Sequence, residues 1–142
     1  MKHADMIKWI RKIQWGNVLL IAFVYTIAGL ILQQLEALLV APYDSIGRSG
    51  SELYITSITS KFFTGISLCI IYYYLMEYLP KKKWQRTFFF ADVLIATSFV
   101  FFTIPVYLIF NVPITILGMW FVSSFILILL ASIIIVTFIP RT

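Results

Sequence analysis

"ITILGMWFVSSFILILLASIIIVTFI" runs from Ile114 to Ile139 without one charged residue. A bilayer core about 30 Å thick is crossed by roughly 20 helical residues, so this stretch reads as a membrane span. The rest of the chain agrees. Apolar residues make up 61% of the 142 positions and charged residues 12%, whereas a soluble domain carries about a quarter charged. A small soluble domain leaves much of its surface in water, so the solvent that suits this composition is lipid.

Three more runs share the character of the first. They are "NVLLIAFVYTIAGLILQQLEALLV" (17–40), "FFTGISLCIIYYYLMEYL" (62–79) and "TFFFADVLIATSFVFFTIPVYLIF" (87–110). None alternates polar and apolar positions as a barrel strand would. In lipid the remaining way to satisfy the backbone is a helix. The fold class expected is therefore all-α: one integral membrane four-helix bundle over 1–142, with spans 17–40, 62–79, 87–110 and 114–139. The basic head before the first run resembles a secretory leader, but the run is longer than the about 7–15 residues of such a segment and no A-x-A site follows. It reads as an uncleaved span.

Residues 41–60 hold Pro, Gly, Ser and charge and read as a loop, with a short interfacial turn at "SELYITSITS". "PKKKWQR" (80–86) is a basic link, and "NVP" (111–113) is a turn so tight that the third and fourth helices must be antiparallel neighbours. Pro105 is expected to kink the third helix.

Basic residues set the expected orientation. Lys2, Lys8, Arg11, Lys12, Lys81, Lys82, Lys83, Arg86 and Arg141 fall on one side of the bundle, and Arg48 and Lys61 on the other. Short cytoplasmic loops accumulate Lys and Arg. This places both termini in the cytoplasm of a multi-pass cell-membrane protein. Trp9, Trp15 and Trp84 would stand at the headgroup level on that side.

Part of the sequence is said twice. "KWIRKIQWGNVL" (8–19) and "KWQRTFFFADVL" (83–94) agree at five of twelve positions without a gap. Their Lys, Trp and Arg suit any helix leaving a basic side. The matched Asn17 and Asp92 go beyond that. The pattern raises the expectation of two parallel-repeat helical hairpins related by an axis along the membrane normal, with a site at the repeat interface.

Polar residues inside spans are costly and are the default functional candidates. They are Asn17, Asp92, Gln33, Glu36 and Lys61. Asn17 and Asp92 can meet near the inner leaflet under the repeat, either as a structural hydrogen bond or as part of a cation relay. Glu36 and Lys61 share a depth and can pair, fixing the register of the first hairpin. Ala22, Thr26, Gly29, Gln33 and Glu36 recur at intervals of four and three, on one helix face. Lys61, Gly65, Cys69 and Tyr72 do the same on the next helix, so the two stripes are expected to meet. Lys81, Lys82, Lys83 and Arg86 are candidates for attracting anionic lipid.

The sequence offers little to catalysis. His3 is the single His and Cys69 the single Cys, and no phosphate-cradling glycine loop is present. No metal, no cofactor, no nucleic-acid partner and no enzyme activity are expected. Besides the lipid bilayer, the partner expected is a protein or a second copy of the chain. The function expected is a non-catalytic accessory or partner-binding membrane component; the competing reading is an oligomeric small transporter or channel using Asp92.

Overall fold

The computed structural model describes residues 3–40 and 51–141. The loop expected at 41–50, with Arg48, lies outside the described residues, as does Lys2. The described residues form helices and connecting turns, with no strand among them: α1 (His3–Lys12), α2 (Trp15–Val40), α3 (Ser51–Leu75), α4 (Lys83–Ser98), a π-helical segment (Phe99–Thr103), α5 (Ile104–Ile109) and α6 (Ile114–Phe138). Four stretches are long and apolar enough to cross a membrane: Trp15–Glu36, Tyr54–Leu75, Lys83–Ile109 and Ile114–Phe138. The basic link and both described termini lie at one end of the bundle, here the basic end. The α2–α3 connection and the 111–113 turn lie at the loop end.

Two boundaries differ from the sequence expectation. Residues 51–60, read as loop, are the opening turns of α3. Ser and Thr there obscure the helical pattern, but in a helix such hydroxyls can bond the carbonyl one turn back, as Thr64 does to Ser60 at 2.7 Å. The second span therefore begins earlier, and Lys61 lies inside it rather than at its mouth. The N-terminal segment, which precedes the first expected span at 17, is helix α1. It ends at a corner where the Gln14 backbone N–H donates to the Tyr73 hydroxyl at 3.0 Å, and Trp9 and Ile13 pack against the core.

The third span shows how a helix accommodates proline. A proline ring clashes with the carbonyl four residues earlier, here Phe101, and supplies no N–H. The turn ahead of Pro105 is widened into the π segment, and Pro105 falls in the first turn of α5, where the missing N–H matters least. The turn that follows places α6 antiparallel to α4.

α2 is the organising element. It packs along α3 on one side and α6 on another, and α6 packs along α4. α3 and α4 touch at the basic end, where the Tyr72 and Phe90 rings meet edge to face at 5.3 Å, and then part toward the loop end. A two-fold relating the hairpins would pair the α2–α6 interface with an equal α3–α4 interface. The first runs the length of the helices and the second does not, so the likeness of the two stretches is not carried into the packing. The core follows this geometry: Val18, Ile21, Tyr72, Phe90 and Ile135 are buried, concentrated in the basic half.

Candidate functional site

The two small and polar stripes meet. A Cβ at Gly65 would lie 2.8 Å from the Ala22 Cα, and one at Gly29 would lie 2.6 Å from the Lys61 Cδ. Glycine at both places lets α2 and α3 approach and gives the Lys61 side chain a channel along α2. Lys61 lies about 10 Å inside its span, counted from Tyr54 at 1.5 Å per residue. Its ammonium donates to Gln33 Oε1 at 2.8 Å. Glu36 attracts it at longer range. The contact partner of Lys61 is thus Gln33, one turn deeper than the expected Glu36.

These three residues line a cavity of about 240 Å³. Ser123 and Ser124 of α6 close its far wall. The sequence does not single these serines out, because what they face is decided by the rotation of α6 against α2. Toward the middle of the membrane, the cavity adjoins a second one of about 290 Å³, which shares Ser124 and Leu127 with it. That second space occupies the gap where α3 and α4 part, with Tyr25, Leu68, Leu94 and Thr97 around it.

The basic end is laced by hydrogen bonds instead. Arg86 is 7% exposed and donates from Nη1 to the carbonyls of Lys81 at 2.9 Å and Pro80 at 3.4 Å. Arg141 donates from Nη1 to the Leu79 carbonyl at 3.0 Å. These carbonyls belong to residues 79–81, in the turn between α3 and α4 and outside any helix, so two guanidiniums hold the chain that links the two helices. Arg86 is a structural staple in this arrangement, which removes it from the set free to meet anionic lipid; Lys81, Lys82 and Lys83 remain exposed. The Tyr72 hydroxyl faces Arg86, yet Tyr72 Oη, Arg86 Nε and Ser132 Oγ complete no good hydrogen bond.

Asn17 and Asp92 do not meet. The Asn17 amide donates to Gln14 Oε1 at 2.6 Å and to the Phe138 carbonyl at 3.3 Å, tying α2 to the end of α6. Asp92 is exposed on the outside of α4, while Arg86, Thr87, Phe90 and Ala91 fill the inside. With Gln85, Phe89, Ala96 and Phe99 it forms an outward stripe at helical spacing, all of it exposed.

Among the described residues no three of His, Cys, Asp and Glu converge on a metal-sized space. The single Cys is buried at the α2–α3 packing surface. Four helices long and apolar enough to cross a membrane define a small multi-pass helical membrane protein. Compared with known proteins, the chain matches no family model, and neither a curated protein nor a solved structure shows significant similarity to it.

Proposed function

We propose that the chain is a non-catalytic membrane component that binds a partner through the outward face of α4. The observation that carries this reading is Asp92. A carboxylate within a span is expensive to leave against lipid, and such groups face protein or water in settled assemblies. Asp92 is exposed on its own bundle, so a second protein surface, with a cation or hydrogen-bond donor at that depth, would complete it. Phe89 and Phe99 on either side supply apolar contact area. The basic residues at one end favour an orientation with both termini in the cytoplasm.

The competing reading, an oligomeric transporter using Asp92, places the same stripe around an axis between copies. The two separate in one experiment. The chain is purified in mild detergent, its associated mass is measured, and it is reconstituted alone in liposomes for ion flux. For the partner reading, a stoichiometric companion is retained by the native chain and lost from Asp92→Asn, with flux at background for both. Flux that requires Asp92 moves the assignment to transport. A native chain that stays monomeric and unaccompanied ends the partner reading.

A further inference from the structure

We infer that the cavity in the loop half of the bundle is a binding site for one phospholipid whose headgroup carries both a phosphate and an amine. The inference is independent of the Asp92 face, which lies on the outside of α4 near the basic end.

The polar cavity holds one cation and one anion that are not locked together. Lys61 spends one of its three N–H donors on Gln33, leaving donors for a phosphate oxygen, and charge-assisted bonds of that type are among the strong ones. Glu36 attracts Lys61, but the hydrogen bond of the ammonium is to Gln33, so the carboxylate is available to an ammonium. Ser123 and Ser124 of α6 line the same cavity. A purely anionic headgroup would satisfy Lys61 and meet repulsion from Glu36; a zwitterion satisfies both.

The tail follows from what adjoins the cavity. Through Ser124 and Leu127 it borders the space of about 290 Å³ between α3 and α4. That space presents a mostly apolar surface, since Leu68, Leu94, Leu127 and Ile128 line it and the Thr64 and Thr97 hydroxyls donate back to their own helices, and it lies deeper in the membrane. A lipid of the leaflet at the loop end has the same order: charge near the surface, hydrocarbon toward the middle. Lys61, about 10 Å inside its span, would pull the phosphate slightly below the headgroup plane, with one acyl chain between α3 and α4 and the other left at the surface.

The test is native mass spectrometry of the full chain in detergent. It is titrated with phosphatidylethanolamine, with phosphatidylglycerol of identical chains, and with soluble phosphoethanolamine. The expected result is one phosphatidylethanolamine per chain, retained about tenfold better than phosphatidylglycerol. Lys61→Met should weaken both lipids. Glu36→Gln should abolish the preference between them. Ser98→Leu, which narrows the tail space, should weaken both lipids without touching phosphoethanolamine. Equal retention of the two lipids by the native chain overturns the proposal. So does soluble phosphoethanolamine binding as tightly as the lipid, because the site would then belong to a free zwitterion. If Lys61→Met does not fold, the Glu36 and Ser98 variants, both at half-buried positions, decide alone.

Discussion

Gly65 lies so close to Ala22 that a Cβ at position 65 would sit 2.8 Å from the Ala22 Cα. The obstacle is backbone, which cannot rotate away. At Gly29 the comparable obstacle is the middle of the Lys61 side chain, which can. The two glycines share an interface but should differ in cost. Gly65→Ala is expected to force α2 and α3 apart and lower stability by about 1–3 kcal/mol, read as a fall in thermal midpoint in detergent. Gly29→Ala should cost less than half as much. Equal costs would mean that Lys61 is as rigid as backbone.

Gln33 and Lys61 form a unit inside the membrane. Removing one partner leaves the other half-buried within the span without its hydrogen bond, which costs more than the bond contributes. Gln33→Leu should therefore destabilise by about 1–3 kcal/mol. Adding Lys61→Met to it should recover most of the loss, a coupling that a double-mutant cycle measures. Additive losses would show that the ammonium finds water or Glu36 without Gln33.

The basic link is held by its own arginine. Arg86→Ala strips the Lys81 and Pro80 carbonyls of their donor and should expose 80–86 to protease while the spans stay intact. Replacing Lys81, Lys82 and Lys83 together with Gln should leave protease resistance unchanged, since all three are exposed. If the lysine variant is cleaved as readily as the arginine one, charge rather than the hydrogen bonds holds the link.

Topology is open to direct labelling. In a Cys69→Ala background, which removes the only native thiol, Asn111→Cys and Lys82→Cys report the loop end and the basic end. Both positions are exposed. In intact cells a membrane-impermeant thiol reagent should modify position 111 and spare 82. The reverse pattern would place the termini outside.

Some of this molecule was legible before any coordinate. Long apolar runs read as spans because a bilayer leaves the backbone no alternative to a helix. The facing of α2 and α3 was legible too: small residues at intervals of four and three mark a close-approach surface whatever the neighbour is. The start of α3 was obscured because Ser and Thr lower the hydropathy of 51–60 without breaking the helix, their hydroxyls being able to bond within it.

The sequence by itself determined the number of helices long enough to cross a membrane, the basic end and the α2–α3 contact, since each depends on spacing within a single helix or on bulk transfer to lipid. The tertiary structure alone decided that Asp92 faces outward, that Arg86 and Arg141 hold the link between α3 and α4, and that Ser123 and Ser124 close a cavity over Lys61. Those outcomes depend on how each helix is rotated and where α3 parts from α4. Rotation is set by packing among side chains far apart in the chain, and a helix apolar on every face carries no mark of which side will be covered.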